Sequence, residues 1–172
     1  MNGKEFSRKT ADKKIKELAK RAEYISHEAD DFPYMVDRLW VFGSYLNTTK
    51  EKIGDLDIAY RILSKWDKDH QKDKEKECIE AEYENPLGGR RFKSILEEIF
   101  WPQTKTLKAL KNHSKIISLH DEREIRKLKP VPEMKEIYAM CPDELYEEWG
   151  EEKSVFDYER YDYVINLESA RA

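Results

Sequence analysis

Four residues stand out for the chemistry that their types and spacing allow. Gly43 and Ser44 end an apolar run, and after ten intervening residues come Asp55 and Asp57. A strand running into Gly-Ser lets the backbone approach a phosphate closely, because glycine has no Cβ. Ser44 adds a hydroxyl donor, and a helix starting there would offer N–H groups and a positive dipole end to an anion. Two aspartates at i and i+2 on a strand project from one face, so both carboxylates can reach the same hard cation. Such a cation bridges triphosphate oxygens, neutralises developing charge and lowers the pKa of an attacking hydroxyl. Gly43 and Ser44 are therefore candidate phosphate ligands. Asp55 and Asp57 are candidate metal ligands and catalytic groups, for Mg²⁺ or Mn²⁺ with an NTP such as ATP. The plainer alternative makes Gly43-Ser44 a hairpin turn and the aspartates solvent-facing strand residues.

These four residues need elements to position them. Residues 10–29 carry apolar side chains at Ile15, Leu18, Ala19, Ala22 and Ile25, a single stripe on a helix with lysines opposite. Asp30, Asp31 and Pro33 break it. Residues 38–42, Arg-Leu-Trp-Val-Phe, are aromatic and β-branched and predict a short buried strand ending at Gly43. A second strand spans 55–62, where alternation puts Asp55, Asp57 and Ala59 on one face and Leu56, Ile58 and Tyr60 on the other. Residues 66–84 are nearly all charged and predict a solvated helix or excursion. Asp67, Asp69 and Asp73 there do not form a calcium loop, because Lys72 and Cys78 occupy the positions that require Gly and Glu. Asn85 to Gly89 is a turn or linker. Two helices at 92–101 and 104–112, divided at Pro102, precede a third strand at 115–120. A basic helix start follows, then Pro130 and Pro132, then an acidic and aromatic C-terminal region.

The segment Phe42-Gly43-Ser44 with Asp55-Leu56-Asp57-Ile58 resembles the signature of the DNA polymerase β-like nucleotidyltransferase superfamily. That signature is a hydrophobic residue, Gly, then Gly or Ser, a comparable spacer, and Asp-hydrophobic-Asp/Glu-hydrophobic. The chain is most similar to small stand-alone members, in which a helix precedes the first strand. The resemblance covers residues 10–62. It implies an α/β (α+β) core, a small mixed β-sheet flanked by helices, and transfer of a nucleoside monophosphate from an NTP to an acceptor hydroxyl with release of pyrophosphate.

The resemblance also implies a third acidic residue on the later strand. Between Ile117 and Leu119 that slot holds Ser118. His120 shares the face of Ser118 and could act as the base, whereas Asp121 needs a bulge or the strand's end to turn inward. Both are candidate catalytic residues, beside the plainer reading that His120-Asp121 ends the strand and starts a helix. A second functional reading follows from Ser118: a catalytically impaired nucleotide-sensing or protein-binding module on the same fold.

The chain of 172 residues is the size of one domain with a small appendage. The expected division is a core at 1–130, interrupted by the charged insertion at 64–90, and an extension at 131–172 that packs on the core. Charged residues make up 40% of the chain yet the net charge is only -4, which argues against broad, unspecific binding to nucleic acid. A local basic run, Lys105, Lys108, Lys111 and Lys115 with Arg123, Arg126, Lys127 and Lys129, could guide RNA or the triphosphate, or could be solvated helix faces. The acceptor is thus RNA, protein or a small molecule, and the sequence leaves open a homo-oligomer or a partner protein. Residues 156–165 alternate aromatic and acidic side chains, as an edge strand or a partner-binding segment would. The histidines, His27, His70, His113 and His120, have no zinc spacing with each other or with Cys78 and Cys141. Ser44 lacks a nearby His/Asp pair for hydrolysis, and Trp40 and Phe42 are expected in the core. Two distant cysteines and the absence of a membrane-length apolar run predict a cytoplasmic protein with no membrane partner.

Overall fold

In a computed structural model the described residues are 4–85 and 92–140. The chain opens with a two-residue strand β1 (Phe6–Ser7) and a 20-residue helix α1 (Arg8–His27). Ser7 caps the helix, its hydroxyl accepting from the Thr10 N–H, which is why the helix starts earlier than its apolar stripe. Strand β2 (Tyr34–Phe42) begins directly after Pro33, four residues ahead of the expected start, and is buried along nearly its whole length. A four-residue helix α2 (Ser44–Asn47), a short strand β3 (Lys52–Ile53) and strand β4 (Leu56–Ser64) follow. The charged run folds as helix α3 (Lys68–Tyr83), with Asp67 as its N-cap, accepting from the N–H groups of Asp69 and His70. That helix is not wholly solvated, since Gln71, Glu75 and Cys78 are buried.

Helix α4 (Ile95–Ile99) and helix α5 (Trp101–Lys111) meet at Phe100 and not at Pro102. Pro102 sits in the first turn of α5, where a missing N–H costs nothing, so it starts the helix instead of dividing it. Strand β5 (Ile117–Asp121), helix α6 (Glu122–Arg126) and strand β6 (Met134–Ala139) complete the described chain.

The four-stranded sheet has the order β5-β4-β2-β6, with β4 and β5 parallel and the other neighbours antiparallel; β1 and β3 form a separate pair. The fold is α+β, a mixed sheet flanked by helices. One face of the sheet carries Leu39, Val41, Leu56, Ile58 and Ile117, and packs with Leu18, Ala22 and Ile25 of α1 and Leu110 of α5 in the main core. Helix α3 joins this core through polar side chains. The Tyr34 hydroxyl donates to Glu75 and accepts from Gln103 Nε2 at 3.0 Å, while Gln71 Nε2 donates to Glu75 at 3.3 Å. Strand β6 lies in the sheet against β2 and buries Tyr138, so the core continues beyond residue 130. The remainder of the expected extension, with its alternating segment at 156–165, and most of the linker after Asn85 lie outside the described residues.

Candidate functional site

The strand register builds the site. Phe42 of β2 pairs with Asp57 of β4, and Asp57 pairs with Ser118 of β5. One row further along lie Trp40, Ala59 and His120. Side chains two residues apart share a face, so all six belong to the sheet face opposite the main core. Trp40, Phe42 and Ala59 are buried there with Ile125 of α6, with Met134 packed alongside, and give the site an apolar floor.

At the rim of this floor the chain leaves β2 through Gly43, at φ 73° and ψ -144°. Gly43 stands so close to Asp57 that an added Cβ would come within 2.6 Å of its Oδ2. The glycine turn and the carboxylate are therefore one construction. Ser44 opens α2, and its Oγ is buried with no hydrogen-bond partner among the described residues. A buried hydroxyl left unpaired costs free energy comparable to a lost hydrogen bond. With only four residues, α2 supplies little macrodipole. The expected dipole contribution is therefore slight, and the hydroxyl and the close backbone carry more of the site.

Asp55 lies one residue before β4, exposed, at i−2 from Asp57. Burial, and next the charge of Asp55, push the Asp57 carboxyl above its ordinary value, against the opposing pull of His120. His120 Nε2 is 3.2 Å from Asp57 Oδ1, and the imidazole meets the Phe42 ring edge-on, with centroids 5.4 Å apart. Among the described residues no three His, Cys, Asp or Glu side chains converge as a ready-made metal cage. Two mutually repelling carboxylates suit a cation that brings further oxygen ligands with it.

Asp121 behaves differently from its neighbour. It pairs with Tyr60, on the opposite parity from Asp57, and caps α6 by accepting from the Arg123 N–H at 2.8 Å. Arg123 Nε and Nη2 also donate to it, at 3.0 and 2.6 Å. Burial alone would raise the Asp121 carboxyl, but the Arg123 contacts outweigh it and hold the group below its ordinary value. The Tyr60 hydroxyl, by burial and by the charge of Asp121, is pushed up to about 12. The structure thus brings Gly43, Ser44, Asp55, Asp57, Ser118 and His120 together, and engages Asp121 in capping and with Arg123.

Four residues of the basic run, Lys105, Arg123, Arg126 and Lys127, have acidic partners nearby. Lys105 contacts Asp31 at 3.3 Å, Arg126 contacts Glu122, and Lys127 contacts Glu124 at 2.8 Å. Among the described residues no helix is long and apolar enough to cross a membrane. No family model, curated protein or solved structure matches the chain, so function has to be read from the site itself.

Proposed function

We propose that this chain is a Mg²⁺-dependent nucleotidyltransferase that moves a nucleoside monophosphate from an NTP to a hydroxyl acceptor. The observation that carries this reading is the joint construction of Gly43 and Asp57, which leaves no room for a side chain between the turn and the carboxylate. The unpartnered Ser44 hydroxyl beside it supports the same reading. Gly43 and Ser44 would receive the phosphates, and Asp55 and Asp57 would hold Mg²⁺ or Mn²⁺. The cation supplies neutralisation of the charge that develops on the phosphates. In the transfer the acceptor oxygen bonds to the α-phosphorus, the bond from that phosphorus to the bridging oxygen breaks, and pyrophosphate leaves. His120, whose ring meets Phe42 and whose Nε2 lies 3.2 Å from Asp57 Oδ1, would take the acceptor's proton. Asp121 is not assigned a role in this chemistry. An NTP substrate and the buried free thiol of Cys78 fit a cytoplasmic setting.

One observation favours a second reading. Ser118 stands directly beside Asp57, where the resemblance calls for a third carboxylate. A module that binds nucleotide without transferring it would need no acid there.

Thermal unfolding with and without MgATP tests the binding claim. At a hundred times Kd the ligand would stabilise the fold by about 2.7 kcal/mol, a rise of roughly 5–10 °C for a domain of this size. Asp55→Asn and Asp57→Asn should each lose that rise. Because the fold holds the Asp57 carboxyl above its ordinary value, the charged form opposes folding at neutral pH. Ligand-free Asp57→Asn should consequently unfold at or above the wild-type temperature. Equal ligand shifts in wild type and both variants would remove the metal role from these residues. Pyrophosphate release with RNA, protein or small hydroxyl acceptors separates the enzyme from the binding module.

A further inference from the structure

We infer that Arg8 is a positioning residue for the Gly43–Ser44 turn, an inference that rests on the nucleotide-binding reading above. Arg8 is the first residue of α1, 35 positions before Gly43 in sequence, yet its guanidinium reaches the spacer between Ser44 and Asp55. Nη1 donates to the Tyr45 carbonyl at 2.8 Å, Nε to the Lys50 carbonyl at 2.7 Å, and Nη2 to the Thr48 carbonyl. The Arg8 backbone N–H donates to the Glu51 carbonyl at 3.0 Å. The guanidinium also lies over the Tyr45 ring, 5.4 Å from its centroid, and the Tyr45 hydroxyl donates to Asp12 at 2.5 Å. Pairing of Phe6 with Ile53 and of Ser7 with Lys52 fastens the far end of the same spacer.

The spacer needs this external fastening. Helix α2 has four residues, none of them fully buried. Its local hydrogen bonds are the Leu46 and Asn47 N–H groups on the Gly43 carbonyl, both at 3.0 Å, and the Thr48 N–H and hydroxyl on the Ser44 carbonyl at 3.3 and 2.9 Å, and Tyr45 and Leu46 pack partly buried against the main core. So short a helix does not persist by itself. The carbonyls of its last turn have no further helical N–H to accept from, and Arg8 supplies donors to Tyr45 and to the capping residue Thr48. All three guanidinium nitrogens face backbone carbonyls, so Arg8 acts through the turn's position and not as a phosphate ligand. A planar fork can serve three acceptors spread over residues 45–50, and a lysine ammonium, a single point charge, cannot reproduce that arrangement.

The test compares wild type, Arg8→Lys and Arg8→Ala as full chains. Calorimetry measures affinity for MgATP and for magnesium tripolyphosphate, which carries no base. Hydrogen exchange measures protection of the amides of Leu46, Asn47 and Thr48 against those of β2 and β4. Both variants should lose affinity for both probes, on the order of tenfold or more. Exchange should rise at residues 46–48 and stay at the wild-type level in β2 and β4. If wild type binds and Arg8→Lys binds equally well, the positioning role is wrong while the site stands. If protection falls across the whole sheet in both variants, Arg8 is a general stabiliser and the inference fails. If wild type binds neither probe, the nucleotide reading falls and the inference with it.

Discussion

At Gly43 two independent restrictions coincide. Its backbone, at φ 73° and ψ -144°, is close to a region that glycine populates almost alone, and a Cβ there would meet Asp57 Oδ2 at 2.6 Å. Gly54, at the other end of the spacer, has open space where its Cβ would be. Gly43→Ala should cost about 1–3 kcal/mol from the backbone alone. It should also displace the carboxylate, so that stabilisation by MgATP disappears. Gly54→Ala should be neutral or stabilising by about 0.4–1 kcal/mol, through the lost freedom of the unfolded chain. Urea unfolding of the two variants reads the contrast directly. Equal costs at both positions would mean that the Gly43 turn relaxes and is not built against Asp57. Here the sequence located the turn, because a glycine at the end of an apolar run marks where the strand stops. What it did not display was the contact with a side chain fourteen residues later.

At the scale of elements, the short helix α6 is fixed to the sheet by one buried acid. Glu122 is 2% exposed, accepts from Arg61 Nε and Nη2 at 3.1 and 2.8 Å, and also accepts from Arg126. Both guanidiniums stack over Trp40, 5.3 and 5.5 Å from its ring centroid, and Arg61 reaches Asp37 at 3.4 Å. Burial alone would raise the Glu122 carboxyl, but the two arginines more than offset it and hold the group below its ordinary value. A carboxyl lowered in the fold adds stability above its unfolded pKa, and that stability is lost as pH falls through the folded value. Glu122→Gln should therefore cost about 1.5–3 kcal/mol at pH 7. The gap from wild type should close as pH drops below the carboxylate range, which unfolding curves at a series of pH values would show. A gap that persists in acid would place the cost in packing and not in charge. None of this was legible in the chain, because nothing in the residue order joins Arg61 to Glu122, 61 positions later. For helix α3, read as a solvated helix or an excursion, the buried side was hidden for a related reason: its stripe, Gln71, Glu75 and Cys78, is mostly polar and leaves no apolar period. Strand β6 hid because Lys135 and Glu136 are exposed and its register with β2 shifts between Leu39 and Trp40. The strands carrying the site were readable, since Leu39 to Phe42 is a continuous aromatic and aliphatic run, buried on both faces, and Leu56 and Ile58 alternate into buried positions. The Arg8 contacts depend on backbone carbonyls, which no residue code displays.

At the scale of the whole molecule, Asp57 and Ser118 become neighbours only because the chain crosses over through α3, α4 and α5 before returning as β5, parallel to β4. That crossover is the arrangement a parallel pair requires, and it sets position 118 of β5 directly beside Asp57. An acid placed there would face the raised Asp57 carboxyl across adjacent strands, with Asp55 adding to the same field. Ser118→Asp should therefore lower the stability of the ligand-free protein, since three carboxylates would then share one partly buried face. The same change should tighten binding of Mg²⁺ and of MgATP, because a cation relieves more repulsion than in wild type. Melting curves with and without Mg²⁺ would then move in opposite directions from wild type. Turnover discriminates the two functional readings beyond that. If wild type releases pyrophosphate and His120→Ala lowers the rate by about 10²–10⁴-fold with little loss of affinity, His120 is the base and the third acid is dispensable. If wild type is silent with RNA, protein and small hydroxyl acceptors while Ser118→Asp releases pyrophosphate, the natural chain is a binding module whose fold lacks one carboxylate. Silence from both, with MgATP bound, would show that transfer needs more than the acid at 118.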